Sequence, residues 1–461
     1  MANQTTVFDA ALLQKYAKSG PRYTSYPTAV QFHPGFGEDD YRRKVEQSNR
    51  VGNPLSLYFH IPFCDTVCFY CGCNKVVTKD RDRAAPYLSQ IHRELELQSE
   101  IFDQRRVVTQ LHWGGGTPTF ISHQQMRQLM AKTRSCFQLL DGDEGEFSIE
   151  IDPREVEEDT IALLREIGFN RMSLGVQDFD LRVQQAVNRI QPEEQTLATL
   201  EAARREGFKS VSIDLIYGLP FQSVASFERT LQRVIEISPD RLSIFNYAHL
   251  PQLFKPQRRI NEADLPSGEE KLEILRLSIE RLTAAGYLFI GMDHFAKPDD
   301  ELAIAQREKS LYRNFQGYST HADCDLIGIG STSIGQVGNS YSQNQKGMDE
   351  YAQALATGHL PLLRGVELSD EDLLRRDVIT RLICHFYLDM GVIETRYGIN
   401  FRNHFAGPLQ GLAEMEADGL VTLGAAEIEV TPRGKLLIRN ICMLFDAYLE
   451  QTESGRFSKV I

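Results

Sequence analysis

The stretch "HIPFCDTVCFYCGCNK" (residues 60–75) sets Cys64, Cys68, Cys71 and Cys73 within ten positions of one another. The whole chain of 461 residues has eight cysteines, and the other four, Cys136, Cys324, Cys384 and Cys442, lie far apart. Scattered cysteines of this kind read as small buried hydrophobes. Half of the thiols gathered in one short segment need a chemical reason.

Three readings compete for the segment. A disulfide suits an oxidising compartment. The N-terminus "MANQTTVFDAALLQKYAKSG" lacks the basic start and apolar core of a secretory signal, and no apolar run approaches a membrane span. The expectation is therefore a cytoplasmic protein with reduced thiols and no membrane association. A structural zinc site normally draws paired ligands from two separated places. This chain has no second C-x-x-C, and His60 stands at an unhelpful spacing. The third reading is an iron–sulfur cluster held by thiolates. Cys64-x-x-x-Cys68-x-x-Cys71 offers three ligands, which leaves one iron of a four-iron cluster open for another molecule, as catalytic metal sites leave a position open. Cys73 falls outside that spacing and is not counted as a ligand.

Outward from the cysteines, strand and helix patterns alternate for over two hundred residues. Apolar or β-branched runs occur in "LSLYFHIP", "QLHWGGGT", "EFSIEID", "RMSLGVQ", "SVSIDLIYGLP" and "RLSIFNYAHL". Amphipathic stretches such as "YLSQIHRELELQSEIF" and "SFERTLQRVIEI" lie between them, and Gly168 and Gly207 stand where helix C-caps would fall. Such alternation predicts parallel strands joined by right-handed crossovers, hence an α/β fold of barrel type. Each strand run ends in something polar or glycine-rich: the cysteines, Gly114-Gly115-Gly116-Thr117, Glu150 with Asp152, Gln177, Asp214, and Asn246 with Tyr247. In barrels that end carries the active site. A strand-end carboxylate such as Asp152 is as readily a cap for the next helix, and a glycine run can be only a tight turn.

C-x-x-x-C-x-x-C with an aromatic residue, Tyr70, before its last cysteine resembles the signature of the radical S-adenosylmethionine (SAM) enzymes. The resemblance implies a partial (β/α)6 TIM-type barrel and a 4Fe-4S cluster on Cys64, Cys68 and Cys71, with SAM on the open iron. It further implies reductive SAM cleavage to a 5′-deoxyadenosyl radical. By the same resemblance Gly115, Gly116 and Thr117 meet the amino group of SAM, and Glu150 meets that ammonium or the ribose. Gln177, Arg189 and Asp214 are candidates for the ribose and carboxylate, and Tyr70 and Cys73 flank the cofactor.

The segments "PRYTSYPTA", "LYFHIPFCDTVCFYCGCNKVVT", "LHWGGGTPTF", "IEIDPRE", "DLIYGLPFQ" and "RNFQGYST" together resemble the oxygen-independent coproporphyrinogen III oxidases. That resemblance runs from near residue 10 to the C-terminus. It implies oxidative decarboxylation of two propionates of coproporphyrinogen III to vinyl groups, in haem biosynthesis. It implies a second SAM, met by Phe315, Gln316, Ile334 and Ala248, and places Tyr58 at the SAM carboxylate. Arg22, in "PRYTSYPTA", is expected to meet a substrate propionate, because planar guanidinium donors suit carboxylates. A flavodoxin-type electron donor, an unidentified acceptor and a monomeric state are expected with it. The haem chaperone of the same superfamily is the alternative. It carries H-N-x-x-Y-W where this chain reads Arg313-Asn314-Phe315-Gln316-Gly317-Tyr318, so Arg313 replaces its haem-ligating His.

The expected organisation is an N-terminal extension over the barrel mouth (1–53), a catalytic barrel (54–340) and a mainly helical, winged-helix-like domain with a two-strand wing and a terminal helix (341–461). The formal charge of −13 speaks against a nucleic-acid partner, which would need cationic surface.

Overall fold

In the computed structural model, which describes residues 6–449, the predicted alternation becomes six parallel strands. They are β1 (Leu55–Ile61), β2 (Val107–Gly115), β3 (Glu146–Ile151), β4 (Arg171–Gln177), β5 (Ser210–Tyr217) and β6 (Arg241–Asn246). The helices that follow them are α1 (Ala84–Ile101), α2 (His123–Cys136), α3 (Thr160–Ile167), α4 (Glu193–Arg205), α5 (Val224–Ile237) and α6 (Gly268–Ala284). The strands pair in chain order. Local chemistry supports the crossovers: Ser122 and Ser223 cap α2 and α5 with reciprocal capping boxes, and Gly168 closes α3 in the left-handed conformation.

A seventh parallel strand, β7 (Asp325–Ile329), lies on the far side of β1. Its five residues are all buried, so it lacks the alternation that marks a half-buried strand. Antiparallel strands extend the sheet at both edges. The hairpin Leu288–Gly291 and His294–Ala296 adds to β6, and Ile334–Val337, Ser340–Asn344 and Leu362–Glu367 add beyond β7. The sheet curls without closing, since its ordered path runs from the 288–291 strand to the 362–367 strand. It also continues past residue 340, where the sequence reading ends the barrel.

The strands bury two unlike faces. Leu55, Leu57, Phe59 and Ile61 of β1 are fully buried, and their even-spaced counterparts Leu111, Trp113, Ile149 and Leu174 join the same core under the helices. Ser56, Tyr58 and His60 alternate with them, and His112, Ser148, Ser173 and Asp214 line an interior cavity of about 190 Å³. Parallel strands usually read as continuous apolar runs, so this polar inner face marks space meant for something other than packing.

Glu94 of α1 joins the β7 edge to the helical layer. It is fully buried and accepts hydrogen bonds from the Gly330 amide (2.8 Å), Asn344 Nδ2 (2.6 Å) and the Tyr351 hydroxyl. Burial pushes its carboxyl up from 4.5 to about 7, against those bonds. The folded state therefore holds more protons than the unfolded chain between these values, and stability falls as pH rises through that window. The expected loss is on the order of 3 kcal/mol, levelling above neutrality. Chemical denaturation of the wild type and Glu94→Gln at several pH values checks this: the variant should lose that slope, and an identical slope would contradict the assignment.

Beyond residue 367 the chain turns helical, beginning with α7 (Asp370–His385). The expected two-strand wing needs correction. Val421–Leu423 and Glu427–Val430 pair as foreseen, but Tyr387–Asp389 adds a third strand on the other side of 427–430. At three residues, that strand is too short to show a pattern. The helix Ile438–Met443 packs on α7. The N-terminal segment lies between the barrel and this part: the Val7 amide donates to the Pro432 carbonyl, Tyr23 to Asp446, and His33 bridges to Gly365. Among the described residues no helix is long and apolar enough to cross a membrane.

Candidate active site

The loop after β1 is closed on itself. Phe63–Cys64 pairs with Val76–Val77, and the Thr78 amide donates to the Cys64 carbonyl at 2.9 Å. Cys68 is buried, Cys64 and Cys71 are half-buried, and Cys73 is exposed, while Cys136, Cys324, Cys384 and Cys442 are all buried as expected. Each thiol of the triad faces donors. Thr117 Oγ1 approaches Cys64 Sγ at 3.7 Å, Arg189 and Arg154 approach Cys68 Sγ at 3.6 and 3.7 Å, and the Cys73 amide approaches Cys71 Sγ at 3.4 Å. Hydrogen bonding from Cys73, together with Lys75, outweighs burial and brings the Cys71 thiol down to about 5. Burial pushes the Cys64 thiol up to about 11. Donors and cations around thiols are the setting in which thiolates persist.

Among the described residues, the donor atoms that converge within 4.8 Å as one metal ion requires belong to His123, Glu157 and Asp159, on the surface.

The glycine run after β2 clamps this loop. The Gly116 amide donates to the Ile61 carbonyl and the Thr117 amide to the Phe63 carbonyl, both at 2.8 Å. A Cβ on Gly116 would stand 2.7 Å from the Pro62 and Phe63 backbone, and Gly115 has φ +117°. The close approach that glycine permits is thus, first of all, to the cysteine loop itself.

Glu150, near the end of β3, accepts from the Gly115 amide (3.1 Å) and His112 Nε2 (3.4 Å). Enclosure works to raise its pKa, but these bonds outweigh it and keep the carboxylate below its ordinary range. Tyr58 stacks on His112 with ring centres 5.8 Å apart, and its hydroxyl lies 3.2 Å from His60 Nδ1. Gln177 ends β4 in the left-handed region at φ +70°, a strained conformation for a non-glycine residue that concentrates at functional sites. Burial lifts Asp214 of β5 to about 6, although Ser173 Oγ donates to it at 2.9 Å.

Arg189 ties these pieces together. It is buried, ion-paired to Asp152 at 2.8 Å, bonded to the Gly175 carbonyl, and directed at Cys68, with its Nε left without a partner. Asp152 is a cap, as its position allowed, accepting from the Arg154 amide at 3.1 Å. It is also the shared anion for Arg154 and Arg189. Tyr70 packs beside the Val183, Val187 and Tyr247 cluster, and its carbonyl accepts from Gln257 at 2.9 Å.

Sequence reasoning missed His112, Arg154, Lys75, Phe254 and Gln257. Alternation along β2 could have flagged His112, and the neighbouring Asp152 could have flagged Arg154. Phe254, whose ring packs against Gly72, and Gln257 sit at and within the short 3-10 helix Lys255–Arg259, which is too short to show a periodic pattern.

The remaining predicted residues fall into three neighbourhoods. Phe315 and Ile334 pack with Phe32 and Tyr341. Gln316 lines the interior cavity. Ala248, exposed after β6, lines a second cavity of about 730 Å³ between the barrel mouth, the N-terminal segment and the C-terminal part. Arg22 lines that cavity too, ion-paired with Asp293 at 2.6 Å.

Three thiols on a strand-end loop, clamped by a glycine run and flanked by a carboxylate and a buried arginine on one barrel rim, define a radical SAM enzyme. The Radical SAM superfamily model matches residues 58–234 and the HemN C-terminal domain model matches 368–437. Over 457 residues the chain is 55% identical to oxygen-independent coproporphyrinogen III oxidase of Pseudomonas aeruginosa, covering 99% of each chain. It is 51% identical to the Escherichia coli enzyme of that name over 462 residues, covering 100% of each. The solved structure of coproporphyrinogen III oxidase (HemN) from Escherichia coli, described as a radical SAM enzyme, superimposes with a TM-score of 0.92 at 50% identity, over 97% of this chain and 100% of that one. The chain belongs to the oxygen-independent coproporphyrinogen III oxidases.

Proposed function

We propose that the barrel rim decarboxylates two propionate side chains of coproporphyrinogen III to vinyl groups, giving protoporphyrinogen IX, with the residues above in the following roles. Cys64, Cys68 and Cys71 hold a 4Fe-4S cluster. When bound, the cluster and SAM supply a carbon radical that takes a hydrogen atom from a propionate, after which carbon dioxide and one electron leave. The observation that carries the reading is the convergence of Thr117, Arg154, Arg189 and Lys75 on one loop of thiols. These groups stabilise negative charge at the sulfurs and fix the loop against the strand ends.

Glu150, kept ionised by its bonds, suits the ammonium of SAM, with Gly115, Gly116 and Thr117 forming the wall behind it. The unpartnered Nε of Arg189 suits the SAM carboxylate, and Tyr58 borders the same space. Gln177 and the weakly acidic Asp214 suit ribose hydroxyls. Tyr70 and Cys73 bound the cofactor from the loop side. A second SAM is assigned to Phe315, Gln316, Ile334 and Ala248. Their three neighbourhoods would have to draw together around it. The organisation into an N-terminal cover (1–53), a barrel (54–340) and a mainly helical domain (341–461), a monomeric state, a cytoplasmic setting, a flavodoxin-type donor and a separate electron acceptor belong to the same proposal.

The 730 Å³ cavity is the substrate chamber, since ligand sites typically measure about 300–1,000 Å³. Arg22 meets a propionate there, exchanging Asp293 for the incoming carboxylate. Arg22→Ala should raise KM for coproporphyrinogen III roughly tenfold, the weight of one charge-assisted contact, with cluster content unchanged. Steady-state kinetics under anaerobic conditions decide it, and an unchanged KM would remove Arg22 from the role.

A further inference from the structure

The 3-10 helix Lys255–Arg259 stands against the cysteine loop. Gln257 Nε2 donates to the Tyr70 carbonyl at 2.9 Å, the Phe254 ring packs on Gly72, and the Arg259 guanidinium lies 5.1 Å from the ring centre of Phe69. The outward side of this helix is cationic. Lys255, Arg258 and Arg259 are exposed, and none of them is ion-paired to a described carboxylate. The next carboxylates in the chain, Glu262 and Asp264, belong to a separate turn. In a chain of formal charge −13, three unneutralised cations within five residues are an exception.

Apolar surface gathers on the same loop. Among the described residues seven large hydrophobic side chains are exposed, and four of them lie on segments that form or brace the loop. Val77 is in the strand that pairs with Phe63–Cys64. Leu253 directly precedes Phe254 and the cationic helix. Leu181 and Ile190 flank a segment whose Val187 carbonyl accepts from the Phe69 amide at 2.9 Å and whose Asn188 Nδ2 donates to the Val67 carbonyl at 2.8 Å. Gly72, Cys73 and Asn74 of the loop itself are exposed. Single exposed apolar side chains are ordinary, but a group of them rimmed by charge marks a protein–protein contact.

We infer that this face docks an acidic, low-potential flavoprotein that delivers electrons to the cluster. This deepens the donor named above and rests on that reading of the site. Each SAM cleavage consumes one electron from outside the chain, so a protein donor must come close to the cysteine loop. The residues that carry the face touch Phe69, Tyr70 and Gly72, immediately beside Cys68 and Cys71. The partner's reduced flavin gives up one electron, passing from hydroquinone to semiquinone, and the oxidised cluster takes it. Unpaired cations on an otherwise acidic protein steer an acidic partner to one place and leave the rest of the surface repulsive. Redox encounters use small interfaces, which one short helix and a few apolar side chains can supply.

The probe is a labelled bacterial flavodoxin, titrated anaerobically into the cluster-loaded enzyme at low and at physiological salt. Fluorescence anisotropy reads binding, light scattering reads self-association, and 5′-deoxyadenosine is followed in parallel with reduced flavodoxin or dithionite as donor. Lys255→Glu combined with Arg258→Glu should weaken flavodoxin binding roughly tenfold at low salt, the lower end of what steering supplies. It should also flatten the salt dependence. The flavodoxin-supported rate should fall in step, while cluster absorption and the dithionite-supported rate match the wild type. Arg50→Glu combined with Arg105→Glu makes the same charge change at exposed positions before β1 and β2, at the opposite end of the barrel. That pair should leave binding within about twofold of the wild type, since steering is local to the patch. Unweakened binding by the 255/258 variant, equal weakening by the control pair, or a wild type that binds no flavodoxin would each overturn the inference. Wild-type self-association that the 255/258 variant lacks would overturn it too, giving the face to a second copy of the chain. A wild type that cleaves no SAM with dithionite would instead bring down the radical reading, and the binding titration would still decide the docking face.

Discussion

Cys68→Ala, reconstituted with iron and sulfide in the absence of oxygen, should hold no 4Fe-4S cluster and form no product. Cys64→Ala and Cys71→Ala should behave alike. Three thiolates hold such a core while one iron stays open. Cys136, Cys324, Cys384 and Cys442 are buried elsewhere in the fold, and Cys73, which meets Cys71 through both its amide and its side chain, lies outside the triad's spacing. Cys68 is the most telling of the three because two arginines are directed at its sulfur. Its removal leaves Arg154 with Asp152, and Arg189 with Asp152 and the Gly175 carbonyl. Iron and sulfide analysis with anaerobic turnover reads the outcome, and Cys73→Ser serves as the comparison, expected to keep its cluster. Undiminished turnover in any triad variant would refute the assignment.

Arg189→Met should cost stability, though less than the roughly 3–5 kcal/mol of an orphaned buried charge, because Asp152 keeps its pair with Arg154 at 2.7 Å. The Asp152 and Arg189 side chains are 10% and 7% exposed, so solvent cannot compensate for the missing charge. The same change removes a donor from Cys68 and from the Gly175 carbonyl. SAM affinity should fall with it, beyond what lost stability explains. Denaturation of the apoprotein and SAM binding to the loaded enzyme separate the two effects. A variant as stable as the wild type that binds SAM equally well would remove Arg189 from both roles.

Much of this arrangement is legible in the sequence because its signals are local. The cysteine spacing is contained in eight residues, the glycine run directly follows an apolar strand, and strand–helix alternation fixes the parallel order of β1 to β6. What stays hidden depends on contacts between distant segments. β7 is short and buried on every side, so it shows no periodicity, yet it pairs with β1 and widens the sheet. Arg22 and Arg439 line one cavity only because the last helix folds against the N-terminal segment. Phe254 and Gln257 brace the cysteine loop from a stretch that has neither helical nor strand pattern. The glycines show the limit most clearly. Their sequence announces a close approach, and the structure shows that the approach is to Pro62 and Phe63.

The central claim is that this rim couples SAM cleavage to propionate decarboxylation. The most direct measurement is an anaerobic assay of the reconstituted protein with SAM, a low-potential reductant, an electron acceptor and coproporphyrinogen III. 5′-Deoxyadenosine and the decarboxylated porphyrinogens are followed in the same samples. The account predicts that both appear together and that the vinyl products require every member of the cysteine triad. SAM cleavage with all four propionates intact would contradict it.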